Sequence, residues 1–206
     1  MSAQNKIDFN MLNLFKNNLI EQGIFVEAGG SHPVDQNNTL LLEQNGWTGL
    51  VVEPKKDFNH LYSTMRPKTI LENYVLVDFN YNSNKIKGDF RHYMMGGIIN
   101  TFNMSDWQED EHDCCTLQSL LDKHGLSEIH FLSLDTEGSE EGILKGIDFK
   151  KTFIHMIVME CHGETTTFKW LENLNYTLIR KHKQHEYYVN KNSKLYLTYN
   201  KFNFEE

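Results

Sequence analysis

Apolar and polar residues follow two rhythms along this chain, and the rhythms take turns. From Phe9 to Gln22, Leu12, Phe15, Leu19 and Ile20 fall on one helical face and Gly23 follows as a stop, which predicts a helix over 9–22. Short β-rich apolar runs come next, near 24–28, 48–53, 74–78, 129–134, 154–159 and 176–180, with a closing hairpin through 186–199. Helical patterns near 37–45, 55–65, 116–124, 139–145 and 164–174 lie between most of them. The run Ile129 to Leu134 is apolar almost throughout, which suits a strand covered on both faces of a parallel sheet. Strands alternating with helices imply an α/β fold, a doubly wound, mostly parallel sheet with helices on both faces.

The ends of these runs carry the candidate chemistry, because open α/β sheets bind ligands at the carboxyl edge of their strands. Phe131-Leu132-Ser133-Leu134 stops abruptly at Asp135-Thr136-Glu137-Gly138-Ser139-Glu140. A capped helix start accounts for Ser139, Glu140 and Glu141 but does not require Asp135 and Glu137 ahead of them. Ile24-Phe25-Val26 runs into Glu27-Ala28-Gly29-Gly30-Ser31, where glycines let backbone approach a ligand closely. Trp47 to Val52 ends at Glu53-Pro54, and Glu53 lies 24 residues after Gly29, a fitting distance for a carboxylate that grips a ribose diol. Ile157-Val158-Met159 ends at Glu160, with His162 just beyond, and Tyr74 to Val77 ends at Asp78-Phe79.

Two cofactors suit that layout. A nicotinamide dinucleotide wants a G-x-G-x-x-G turn on which its pyrophosphate rests. Here the turn reads Gly29-Gly30-Ser31-His32-Pro33-Val34, without the third glycine, and Glu27 would repel a pyrophosphate. S-adenosylmethionine has an ammonium and a sulfonium and no phosphate, so the residues favour the methyl donor.

Several motifs in order make the reading specific. Val26-Glu27-Ala28-Gly29, Asn38-Thr39-Leu40-Leu41-Leu42-Glu43, Gly46-Trp47-Thr48-Gly49-Leu50, Glu53-Pro54, and Ser133-Leu134-Asp135-Thr136-Glu137-Gly138-Ser139-Glu140 with Ile143-Leu144 resemble the FkbM-type methyltransferases, a branch of the class I S-adenosylmethionine-dependent enzymes. The resemblance covers roughly residues 24 to 162. It departs after the first glycine, and 81–113 carries no motif that aligns. It implies a single Rossmann-like class I methyltransferase domain over 1–206, with an antiparallel final strand in the late hairpin. It also implies transfer to a hydroxyl, of a sugar or glycan, and an acid at the third strand's edge, Asp78, for the adenine amino group, with Phe79 free to stack on the ring.

In that frame Glu27, Ala28, Gly29, Gly30, Ser31, Glu53, Pro54, Asp78, Phe79 and Asp135 are expected around the donor. Asp135, Glu160 and His162 are expected beside the methyl group, as a general base or as ligands of one hard divalent ion, Mg²⁺ or Mn²⁺. Each also has a plain structural role open to it: capping for Asp135, an ion pair for Glu160, core packing for Phe79. Met94 to Ile99, after His92 and Tyr93, reads as a lid or as ordinary core. A non-catalytic member of the same fold and a nicotinamide-dependent oxidoreductase are the alternatives.

Composition narrows the partners. A net charge of −8 argues against nucleic acid, which needs a basic face. The cations of the tail, Arg180, Lys181, Lys183, Lys191, Lys194 and Lys201, read as a solvated hairpin. Cys114, Cys115 and Cys161 form no disulfide framework, and His112-Asp113-Cys114-Cys115 matches no zinc spacing. With strand-length apolar runs and no signal-peptide profile at the start, a cytoplasmic protein without a membrane span is expected.

Overall fold

The computed structural model describes residues 3–92, 95–101, 103–161 and 167–205. In chain order the elements are α1 (Ile7–Asn17), β1 (Ile24–Ala28), α2 (Leu40–Gln44), β2 (Thr48–Val52), α3 (Asn59–Met65), β3 (Ile70–Glu72), β4 (Val75–Val77) and β5 (Lys85–Gly88). They continue as β6 (Asp110–Thr116), α4 (Leu117–His124), β7 (Glu128–Leu134), α5 (Glu140–Lys145), β8 (Phe153–Glu160), β9 (Tyr176–His182) and β10 (His185–Asn190).

Seven strands form the main sheet in the order β3-β2-β1-β7-β8-β10-β9. The pairs from β3 through β8 are parallel, and β10 runs antiparallel to both β8 and β9. The pleat sends successive side chains to opposite faces. Val26, Leu50 and Leu132 pack on one side with Leu117, Leu120 and Leu121 of α4 and Ile143 and Leu144 of α5. Phe25, Val51 and Phe131 pack on the other with Ile7, Met11, Leu14 and Phe15 of α1. A sheet apolar on both faces has no solvated side, which is why its strands read as continuous apolar runs. The α/β expectation, with a mostly parallel sheet and an antiparallel final strand, therefore holds.

Several boundaries differ, each for a local reason. The first helix ends at Asn17, five residues short of the expected 22, because Leu19 takes a left-handed conformation (φ 59°). The Ile20 and Leu19 amides then donate to the Phe15 and Lys16 carbonyls, closing the helix end. Leu19 is left 84% exposed rather than on the buried face. The run at 74–78 is not the third strand of the main sheet. That place belongs to Ile70–Glu72, while Val75–Val77 pairs with β6 in a separate three-stranded sheet, β4-β6-β5. The 81–113 stretch, which carries no motif that aligns, holds β5 and the first half of β6, and so contributes to two of this smaller sheet's three strands. After Asn190 the chain makes 3₁₀ turns at Lys194–Leu197 and Tyr199–Lys201 rather than extending the hairpin. Among the described residues no helix is long and apolar enough to cross a membrane.

Candidate active site

Strand order reverses between β1 and β7, so the chain departs in opposite directions from two adjacent parallel strands and leaves a crevice at their carboxyl ends. A cavity of about 510 Å³ occupies that crevice. The ends of β1, β2, β7 and β8 form its floor, and Phe90, His92, Met95, Gly96, Gly97 and Ile98 form a wall. The floor is tight where β1 meets β7. The Asp135 amide donates to the Ala28 carbonyl at 3.1 Å, and Gly29 turns there with φ +80°. A Cβ on Gly29 would lie 1.8 Å from the Asp135 carbonyl oxygen, so only glycine permits this approach.

Glu27, the residue before the last of β1, is almost fully buried and is held by the segment that opens α2. Its Oε1 accepts from the Asn38 amide at 2.9 Å and its Oε2 from the Thr39 hydroxyl at 2.7 Å. Asn37 caps the helix start, its Oδ1 accepting from the Thr39 and Leu40 amides. Behind this web lies Arg66, whose guanidinium is enclosed. It reaches Glu43 at 2.6 Å, Asn37 at 2.7 Å, Thr39 at 2.9 Å and Glu27 at 3.7 Å. Burial pushes the Glu27 carboxyl up from its ordinary value, and Arg66 with the Thr39 and Asn38 bonds pulls it back down.

Glu53 follows β2 with both oxygens anchored by backbone, Oε2 by the Ser31 amide and Oε1 by the Lys55 amide, each at 2.8 Å. Burial raises its carboxyl as well, against the pull of those two N–H groups. The strand-end acids of β7 and β8 meet directly. Asp135 and Glu160 share a hydrogen bond, and Asp135 is pushed well above the usual carboxylate range by burial and by the Glu160 charge, with Glu137 and Glu140 adding to it. Oxygens of Asp135, Glu137 and Glu160 lie within 4.8 Å of one another. The Gln184 amide, reaching over from the β9–β10 turn, donates to Glu160. Glu140 is turned the other way, its Oε1 accepting from the Thr136 and Gly138 amides and so fixing the loop that carries Glu137.

A profile of the methyltransferase FkbM domain matches residues 27–196. The chain belongs to this family. It is a methyltransferase, and the match spans both halves of the sheet and every strand end described above. Among curated proteins nothing matches significantly. Among solved structures the chain is similar to a methyltransferase candidate from Escherichia coli, at 10% identity and TM-score 0.47, covering 92% of this chain and 88% of the other. It is likewise similar to a methylase candidate from Haemophilus influenzae, at 10% identity and TM-score 0.49, covering 92% and 91%.

In this FkbM domain Glu27, Ala28, Gly29, Gly30, Ser31, Glu53, Pro54, Asp135 and Glu160 all line the one cavity. His162 lies outside the described residues, as does the start of the 164–174 helix, and Glu137 is the third member of the acidic cluster that the structure describes. Asp78 and Phe79 do not reach the cavity. Because β4 leaves the main sheet, the wall there is made by Tyr74, Val75 and Leu76. Asp78 instead caps the Asn80 amide at 2.6 Å, and Phe79 is 53% exposed in a shallow groove with Phe149 and Trp170. Met95 to Ile98 line the cavity, so that stretch is a wall of the site. His112, Asp113, Cys114 and Cys115 run along β6 with successive side chains on opposite faces, and so do not converge.

A second group of potential metal ligands, Glu128, His130 and His155, sits at the opposite end of β7 and β8. The two imidazoles stack 4.9 Å apart with planes 11° from parallel, so their in-plane lone pairs do not aim at a common point. Sequence reasoning passed over Gln184, which lines the cavity, and the two buried residues behind its wall, Arg66 and Tyr62, the latter donating its hydroxyl to the Gly30 carbonyl at 2.9 Å. Asn38, Thr39 and Glu43 were visible as a motif, and their shared purpose, the web around Glu27, is a tertiary fact.

Proposed function

We propose that this methyltransferase takes its methyl group from S-adenosylmethionine and delivers it to a hydroxyl of a sugar or glycan. The observation that carries the donor half is the charge of the cavity wall: Glu27, Asp35, Glu53, Asp135, Glu137 and Glu160 line it. Lys55 is its single lysine or arginine among the described residues, and its ammonium is already engaged by the Arg91 carbonyl at 3.2 Å and Asp57 at 3.7 Å. Such a wall suits a ligand with an ammonium and a sulfonium, and opposes a pyrophosphate. Ser31 Oγ, beyond β1, and Asn38 Oδ1, just before α2, are buried without hydrogen-bond partners among the described residues and fit as further contacts for a polar ligand. Glu27 would hold the ammonium group and Glu53 the ribose diol.

Bound there, the donor supplies an electrophilic methyl group for in-line displacement. Asp135 and Glu160 are the groups beside it that can move a proton. Two carboxyls this close do not both ionise readily, and burial with the Glu160 charge holds Asp135 well above the usual carboxylate range, which favours one proton shared by the pair. The ionised partner can take the proton that an acceptor hydroxyl releases. Gln184 keeps Glu160 turned toward Asp135. The acceptor class follows from the family resemblance, and Phe90, Met95 and Ile98 offer it an apolar surface.

The spacing of Asp135, Glu137 and Glu160 favours a second reading in which a hard cation, Mg²⁺ or Mn²⁺, is held by these carboxylates. Titration calorimetry with S-adenosylhomocysteine and with NAD tests the donor, and binding of NAD alone would sink it. Transfer of labelled methyl from S-adenosylmethionine to a panel of sugars and glycans tests the acceptor, and label appearing only in amines or proteins would overturn that half. Full transfer in excess EDTA is expected for the proton-moving pair. Loss of transfer in EDTA, restored by Mg²⁺ or Mn²⁺, would move the reading to the metal.

A further inference from the structure

We infer that Arg66 is a positioning residue for the methyl donor, acting through Glu27: it keeps that buried carboxylate ionised and fixed without occupying the face that the donor's ammonium needs. The inference rests on the donor reading above. Arg66 stands at the C-terminal end of α3 with its side chain fully enclosed. It lies over the rings of Phe25 (5.4 Å) and Tyr62 (5.7 Å), which favour a cation at their faces. The two carboxylates around it are Glu43 and Glu27, so the buried group carries one positive and two negative charges.

The two acids are treated differently. Glu43 is closed off, its Oε2 taking the Arg66 Nε at 2.6 Å and the Thr69 hydroxyl as well. Glu27 is met at 3.7 Å, and the shorter link runs through Thr39, whose hydroxyl accepts from Arg66 Nη2 at 2.9 Å and donates to Glu27 at 2.7 Å. Glu27 thus feels the guanidinium's field while its own hydrogen-bonding capacity stays partly open toward the cavity it lines. The surplus negative charge of the web sits there, where a cationic ligand would neutralise it.

Other titratable groups also surround Glu27. Glu53 from the end of β2 and Tyr62 from α3 interact with its charge, and Asp135 shares the cavity from the end of β7. Among the described residues Arg66 is the cation paired with it. Without Arg66 a carboxyl this buried would take up a proton at higher pH, and a neutral Glu27 would have little hold on an ammonium.

The test compares wild type with Arg66→Met, Arg66→Lys and Glu27→Gln, each checked for folding by circular dichroism. S-adenosylhomocysteine carries the amino acid moiety, and 5′-methylthioadenosine lacks it, so both are titrated by calorimetry at about pH 6 and about pH 8. Wild-type affinity for S-adenosylhomocysteine is expected to stay flat over that range. Arg66→Met should bind it at least about tenfold more weakly at the lower pH than at the higher, with 5′-methylthioadenosine unaffected at either. Arg66→Lys should recover most of the loss, and Glu27→Gln should be weak at both pH values.

A folded Arg66→Met with wild-type affinity at both pH values overturns the inference, as does equal loss of both ligands, which would mark a purely structural role. Should Arg66→Met fail to fold, carbon-13 titration of the Glu27 carboxyl in wild type and Arg66→Lys gives the same decision. A higher pKa in the lysine variant is expected, and no change refutes the coupling. A wild type that ignores S-adenosylhomocysteine sinks the donor reading and this inference together, whereas a wild type that binds it while the variants behave alike sinks the inference alone.

Discussion

Replacing Glu53 by glutamine separates what this carboxylate does for the fold from what it does for the donor. The side chain keeps its length but exchanges one oxygen for an NH₂ group. In the protein both oxygens accept a backbone N–H at 2.8 Å, from Ser31 and Lys55, so one of those donors would face the new NH₂ instead. Leaving one buried N–H unsatisfied costs about 1–3 kcal/mol of stability. The second loss appears only with ligand. Two ribose hydroxyls would each donate to one carboxylate oxygen, and the amide can receive only one of them. A charge-assisted bond of about 1.5–3 kcal/mol disappears, which weakens binding by about tenfold to a hundredfold. Calorimetric titration with S-adenosylhomocysteine and 5′-methylthioadenosine reads this directly, because both ligands carry the ribose. The two affinities should fall by the same factor, while thermal unfolding reports the separate cost in stability. Unchanged affinity for both ligands would refute the ribose assignment, and a loss confined to S-adenosylhomocysteine would move the Glu53 contact to the amino acid end.

Three further outcomes follow from the same geometry. Gly29→Ala forces a left-handed residue and a Cβ 1.8 Å from a carbonyl oxygen, and should cost about 2–5 kcal/mol in chemical denaturation; a change below about 1 kcal/mol would mean the β1–β7 contact is looser than described. Asp135 holds its proton in the native state above the pH at which the unfolded chain, with its ordinary value of 3.8, releases it. The native state then binds more protons, so ligand-free stability should fall as pH rises from about 4 toward Asp135's raised pKa, by at most about 1.4 kcal/mol per pH unit. Asp135→Asn should remove that slope and be the more stable protein at neutral pH; parallel stability curves for variant and wild type would show that Asp135 titrates normally.

The main sheet was legible because burial on both faces leaves a plain mark, the uninterrupted apolar run. Expected and observed bounds agree at 24–28 and differ by a residue or two at 48–52, 128–134 and 153–160. The failures were of two kinds. Leu19 sits on the helical face by spacing, yet the chain had already turned at Asn18, because a left-handed leucine can close a helix where Gly23 was the expected stop. The run at 74–78 has strand composition and is a strand, but composition does not name a strand's partner. Pairing with β6, some forty residues later in the chain, is a long-range choice that no local window contains.

That one pairing also explains why part of the candidate site was misplaced. Glu27, Glu53, Asp135 and Glu160 were found from sequence because each lies at the carboxyl end of a strand of the main sheet, so strand identity fixed their position at the crevice. Asp78 obeyed the same rule in a strand belonging to another sheet, and the rule then pointed it away from the cavity to cap Asn80. A strand-end acid is therefore evidence of a site only when its strand belongs to the sheet that has the switch point. Arg66 shows the complementary limit. It lies just before Pro67, between an exposed Met65 and a polar stretch, and nothing near it in sequence marks it as buried. Its partners Glu27, Asn37, Thr39 and Glu43 all precede it by 23 residues or more, so its role exists only once β1, α2 and α3 have packed together.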